Sequence, residues 1–267
     1  MRKVLVVGVM AVLLVAGNCL SAQSTTQQVE DDAAKNAKQA RDVLDAMVQA
    51  LGGQSWLDMK NRTEHGHVAG FFHGQPDVGT TEILEFHSWP DKDRIDVTKH
   101  RDYVQFFVGR TGFEVTYRGK KAIPQEQVDD YLRRRDHSIE IAVKVWLKDP
   151  KTILVFEGQH LVERHLAEQV TLISAENEAI TILTDVQTHL PLRRSFQYRD
   201  PTFHDKDVDA EEYDDWHVLD GFPTAMRISR MKNDDMVRQF YVDSVKYNQD
   251  LAPDFWSVDA AEKRIKK

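Results

Sequence analysis

The hydrophobic pattern of this chain changes period twice. Between residues 32 and 51, Ala33, Ala37, Ala40, Leu44, Met47, Val48 and Leu51 recur at intervals of three and four, which predicts an amphipathic helix. Gly52 and Gly53 stop it, and residues 55–59 read as a second short helix with Ser55 near its cap. From residue 62 the period falls to two. Strands are expected at 62–73, 78–88, 93–99, 103–109 and 112–118, separated by turn-forming clusters such as Gly-Gln-Pro-Asp and Trp-Pro-Asp-Lys. The strands pause over 124–148, where Pro124 suits a helix start and the charged run at 133–136 divides two helices. Period two returns at 152–157, 160–164, 166–174, 178–185, 190–199, 210–219, 223–231 and 236–247.

So many strands joined by short turns exceed what a flat open sheet holds comfortably. The expected fold class is mainly β with α: an incomplete, half-open antiparallel β-barrel with helices covering its concave face. No composition shift divides residues 32–267, which read as a single domain.

The start of the chain reads differently. Arg2 and Lys3 precede an apolar run from Val4 to Ala16, and Leu20-Ser21-Ala22 offers a cleavage site, so residues 1–22 are expected to be a secretory signal peptide. The run is shorter than the roughly 20 apolar residues a spanning helix needs. The competing reading is lipid attachment at Cys19, where Asn18 fits a lipobox poorly. Residues 23–31 (QSTTQQVED) have nothing to bury and read as a flexible lead. Cys19 is the only cysteine, so cleavage after Ala22 leaves neither a disulfide nor a thiol nucleophile.

Charge and motifs narrow the function. The formal charge of −8 becomes more negative once Arg2 and Lys3 are removed, which disfavours nucleic acid as a partner. His65 and His67 lie two apart on a strand and could hold zinc, but a third ligand is not identifiable. The acidic run Asp205, Asp207, Asp209, Glu211, Glu212, Asp214, Asp215 lacks the glycine and terminal glutamate of a calcium loop and reads as a solvated insertion. Gly-x-Ser-x-Gly and phosphate-binding glycine loops are absent from the sequence. The five tryptophans are scattered singly and read as core plugs.

Four stretches give the chain a family likeness. They are ALGGQSWLDMKN (50–61), FEGQHLVERHLAEQVTLI (156–173), ILTDVQTHLPLRRSFQY (182–198) and YDDWHVLDGFPTAMRISR (213–230). In this order they resemble the LolA/LolB-like periplasmic lipoprotein carriers and their outer-membrane lipoprotein-sorting relatives. The resemblance implies an incomplete barrel enclosing an apolar cavity for acyl chains. It also implies an early-strand arginine that holds the helical lid, for which Arg62 and Arg94 both stand at suitable places.

The residues nominated for the cavity are the long apolar ones of a single strand parity, Leu84, Phe86, Phe106, Val108, Phe113 and Tyr117, with Val143 and Trp146 from the helix above. Together these features lead to a non-enzymatic, cofactor-free and metal-free periplasmic carrier or sensor of lipidated cargo, acting as a monomer on acyl chains of lipoproteins or lipids. Envelope membrane proteins are candidate partners. The alternatives are a structural or regulatory domain with a filled interior, and a metal-dependent hydrolase using the His65 and His67 face.

Overall fold

The computed structural model describes residues 17–77, 79–97, 100–162 and 164–266. Most of the expected signal peptide lies outside them. Helix α1 (Gly17–Leu51) continues through residues 23–31, where the sequence suggests a flexible lead. That stretch has no glycine or proline, so nothing in it breaks the helix. The expected periodicity holds further on: Ala40, Leu44, Met47, Val48 and Leu51 are buried. Asn36 pins the helix, exchanging hydrogen bonds of 2.8 and 2.9 Å with the backbone of Phe156. The short α2 (Gln54–Leu57) then turns the chain into the sheet.

Strands β1 (Asn61–Phe72), β2 (Gln75–Pro76), β3 (Thr81–Ser88), β4 (Lys92–Val97), β5 (Tyr103–Val108), β6 (Thr111–Thr116) and β7 (Gly119–Ala122) follow. Helices α3 (Gln125–Asp136) and α4 (Ile139–Lys144) and a 3-10 turn (Trp146–Lys148) carry the chain across to the far edge. The break between the helices falls at His137 and Ser138, because the Ser138 side chain accepts from the Ile141 amide and starts α4. Strands β8 (Ile153–Val162), β9 (His165–Ile173), β10 (Ala179–Asp185), β11 (Pro191–Arg199), β12 (Lys206–Leu219), β13 (Phe222–Lys232) and β14 (Asp235–Tyr247) complete the sheet, and α5 (Val258–Ile265) ends it. Where the sequence suggests two strands, β8 is one, bulged near Gly158 at a positive φ of 100°.

The strands form one antiparallel sheet in the order β7-β6-β5-β4-β3-β1-β14-β13-β12-β11-β10-β9-β8, with β2 paired to β1. It is not closed, and its edges are β7 and β8. The two halves meet where β1 pairs with β14. At that seam Gly66 is obligatory, since a Cβ there would lie 2.1 Å from the Tyr241 carbonyl oxygen.

The main core packs α1, α2 and α4 against Val170, Leu172, Ile180 and Ile182 of β9 and β10. Helix α3 packs Val128 and Leu132 on Phe107 and Ile123. Helix α5 covers the other face of the sheet through Val104, Phe106 and Val115.

Candidate functional site

Between α2–α4 and the inner face of β1, β3–β5 and β11–β14 lies a cavity of about 520 Å³. Its apolar walls include Trp56, Met59 and Trp89 on the helical side and Ile83, Ile228 and Phe240 on the strand side. Its polar surface is extensive. Six arginines (Arg62, Arg134, Arg135, Arg194, Arg230, Arg238) and His87 line it together with Glu64, Glu85, Asp93, Glu140 and Glu211. The apolar cavity expected from the sequence is therefore amphipathic.

The strand register explains how these charges meet. In an antiparallel pair, directly opposite residues share a face. Arg62 lies opposite His87, and Glu64 opposite Glu85. Arg194 faces Glu211, Glu211 faces Arg230, and Arg230 faces Arg238 across β11 to β14.

The first group is knit around His87. Its Nδ1 is 2.9 Å from Asp93, and its Nε2 is 3.6 Å from both Glu64 and Glu85. Burial by itself would deprotonate this ring, but the carboxylates of Asp93 and Glu85 outweigh it and push the pKa up to about 10. Burial likewise disfavours ionised Glu85, yet Arg238 and His87 hold its carboxyl down at about 2. Glu64, Glu85 and His87 have ligand atoms close enough to hold a metal ion. Arg62 and Arg238 already contact the two carboxylates, so the set fits a protonated imidazole better than a second cation.

The second group contains Arg194, only 1% exposed, which holds Glu211 at 2.9 Å. Tyr213 donates to the same carboxylate at 3.0 Å, and Arg230 reaches Asp209 at 2.9 Å. Burial raises the Asp209 pKa against the pull of Arg230 and Arg194. The acidic stretch expected to be a solvated insertion is thus β12 itself. Its acids alternate, so Asp207, Asp209 and Glu211 each meet a cation, Lys232, Arg230 and Arg194 in turn.

Arg62 also reaches α4, donating to Glu140 at 3.0 Å, while Lys144 of α4 donates to the Met59 carbonyl at 3.0 Å. Burial lowers the Lys144 pKa to about 8. Arg94, the other arginine open in the sequence, lies on the opposite face, paired with Asp96 at 2.6 and 3.0 Å and stacked over Phe255.

The eight residues nominated from the sequence do not line this cavity. Phe86, Phe106 and Phe113 share the Arg94 face by register, beneath Phe255 and α5. Leu84 and Phe86 border a second depression there. Val108 has the same parity as Phe106, and Tyr117 is exposed. Val143 is buried in the main core, and Trp146 packs on it edge-to-face with His137. In β3, β5 and β6 the more apolar parity faces α5 and the more polar parity the cavity, whereas in β4 Arg94 and Asp96 face α5 and Ile95 and Val97 line the cavity. Trp56, Trp89 and Trp216, read as core plugs, line the cavity. The signal that was available is Arg62 with Glu64 and Glu85 with His87, charges repeated at i and i+2 in otherwise buried strands.

His65 and His67 stand on the outside, their rings 6.3 Å apart. Asp243 contacts both, at 3.8 and 2.9 Å, and Glu82 binds His65 at 3.0 Å. Asp243 is the acidic neighbour that the sequence could not identify.

This architecture is the LolA/LolB-like fold: an unclosed antiparallel β-barrel with helices across one face. Among solved structures it is similar to a domain from Vibrio parahaemolyticus described as an outer membrane lipoprotein-sorting protein, with a TM-score of 0.59, 9% identity, and 85% of this chain and 100% of that one covered. It is also similar to a DUF1329 family protein from Desulfovibrio piger (TM-score 0.57, 11% identity, 85% and 99% covered). A LolA superfamily protein from Nitrosomonas europaea gives 0.53 at 11% identity, with 83% and 98% covered. No protein-family model matches the chain, and no curated protein matches it in sequence.

Proposed function

We propose that this chain is a non-enzymatic periplasmic carrier or sensor that takes an acyl chain of a lipid or lipoprotein into the cavity beneath α2–α4. The observation that carries the reading is the cavity itself: its 520 Å³ falls within the roughly 300–1,000 Å³ of ligand pockets and has apolar walls on both sides. The similarity of fold to lipoprotein-sorting and LolA superfamily proteins supports it. Among the described residues no helix is long and apolar enough to cross a membrane, which agrees with a carrier held outside the bilayer. Each methylene taken up contributes about 0.8 kcal/mol, so an occupant of modest length binds firmly yet reversibly. Arg62 joined to Glu140 is suited to hold α4 over the cavity mouth.

Native mass spectrometry of the protein purified from its own envelope, followed by lipid extraction, tests the reading. One stoichiometric lipid or lipoprotein species is expected. Protein that is lipid-free and also refuses a fluorescent acyl probe would favour the alternative of a non-carrier domain.

A further inference from the structure

The cavity concentrates buried charge, with its cations in the lining and part of their partners behind it. In a chain of net charge −8, its lining sets six arginines and a protonated His87 against five carboxylates. Asp209 and Asp130, behind the lining, partner Arg230 and Arg134. The arrangement across the strands matters more than the count. Arg230 and Arg238 stand directly opposite each other on β13 and β14, and like charges so placed destabilise a sheet. Arg194 continues the same cross-strand row on β11, with only Glu211 between it and Arg230.

A second observation is independent of charge. Among the described residues, the buried indole N–H of Trp216, which lines this cavity, lacks a hydrogen-bond partner, while Arg62 Nε, Arg135 Nε and Arg194 Nη1 make only ion pairs with Glu64, Asp136 and Asp209 at 3.2, 3.6 and 3.8 Å. A buried donor left unpaired is costly, so the wall around Trp216 has room for a further acceptor. Arg194 is almost wholly buried and Trp216 belongs to the same wall, with Tyr213 bonded to Glu211 and its ring 6.4 Å from that of Trp216.

We infer that the row Arg194, Arg230 and Arg238, with the indole N–H of Trp216, receives the anionic, oxygen-rich head group of an amphiphile whose chain occupies the apolar part of the cavity. This rests on the carrier reading and specifies its ligand class. An anionic head supplies the missing acceptor and relieves the apposed arginines. A neutral oxygen-rich head supplies acceptors without relieving the arginines, and a cationic head does neither.

The test uses delipidated full chain and four probes, each kept below its micelle concentration: dodecyl phosphate, dodecyl maltoside, dodecyltrimethylammonium and inorganic phosphate. Dodecyl phosphate is expected to bind at least tenfold tighter than dodecyl maltoside, dodecyltrimethylammonium more weakly than either, and inorganic phosphate not at all. Trp216→Phe, which removes one donor and keeps an aromatic ring, should lower dodecyl phosphate affinity several-fold and dodecyl maltoside affinity by less. Arg230→Gln should narrow the anionic preference further. Equal binding of the phosphate and maltoside probes would overturn the head-group site and leave the carrier reading standing. Binding of none of the dodecyl probes would overturn both. Inorganic phosphate binding as tightly as dodecyl phosphate would overturn the amphiphile in favour of a plain anion site.

Discussion

His87 works as a cation inside a cage of carboxylates, which gives protein stability a particular pH dependence. Its pKa rises from 6.5 to about 10 on folding, so its contribution is complete below 6.5 and is lost as pH climbs towards 10. Glu85 falls from 4.5 to about 2, so its contribution is complete above 4.5 and is lost as pH drops towards 2. Lys144 acts in the opposite sense to His87, because a pKa lowered from 10.5 to about 8 lets stability recover over that interval. The plateau should therefore span pH 4.5 to 6.5, and the decline above it should vanish in His87→Gln, as urea titrations at stepped pH would reveal. A wild-type stability that holds flat to pH 9 while matching His87→Gln throughout would contradict the cage. Gly66 gives a second expectation at this scale. A methyl group pressed 2.1 Å from the Tyr241 oxygen cannot be absorbed by a rotamer change, so Gly66→Ala should cost about 3 kcal/mol or more in a denaturant titration.

Helix α4 is tied by charge on its cavity side and by packing beneath. Glu140 holds Arg62 of β1, whereas Ile139, Ala142 and Val143 belong to the main core. The two attachments can be separated by mutation. Glu140→Gln should speed amide exchange in residues 139–144 and release of an acyl probe, the global loss being limited because Arg62 keeps Glu64 as its partner. Val143→Ala should instead cost around 2 kcal/mol, because its side chain fills a packed core rather than a ligand space. If exchange in α4 is unaffected by Glu140→Gln, the Arg62 link does not hold the helix. Elements of this kind were largely legible in the sequence, since the 3.6 and 2 periods and the Gly, Pro and Asp turns locate the end of α1, both α3 and α4, and most strands to within a few residues. Asp185 shows why: its carboxylate accepts from the Gln187 and Thr188 amides, fixing the β10–β11 turn within the 182–198 stretch. What stayed illegible was the side of the sheet. Alternation identifies two faces but not which one is concave, and here α5, unrecognised in the sequence, buries the apolar parity of β5 and β6 from behind. The polar parity, normally the solvent side, faces the cavity, and pairings such as Arg194 with Glu211 join positions far enough apart that only the fold brings them together.

At the scale of the whole molecule, the chain builds one sheet outwards from its middle, crosses over through α3 and α4, and returns to seal β14 on β1. That topology leaves two edges and a charged, incompletely filled interior. The edges are guarded, by Lys120 and Lys121 on β7 and by the bulge at Gly158 on β8. The interior is stabilised by its occupant if the carrier reading holds. A ligand that binds only the folded state adds RT ln(1 + [L]/Kd), which is about 2.7 kcal/mol at a hundredfold excess over Kd. For a chain of this size each kcal/mol raises Tm by roughly 2–4 °C, so saturating dodecyl phosphate should lift the midpoint of delipidated protein by about 5–10 °C. The shift must come from the cavity and not from detergent on the surface. Ala225 lines the cavity and is buried, so Ala225→Leu should occupy part of the space, leaving the ligand-free midpoint within a few degrees of wild type and cutting the ligand-induced shift by at least half. Differential scanning fluorimetry across a dodecyl phosphate series, on both proteins, makes the comparison directly. An equal shift in both would place the probe outside the cavity, and no shift in either would mean that the space beneath α2–α4 is a packing defect with no acyl ligand to receive.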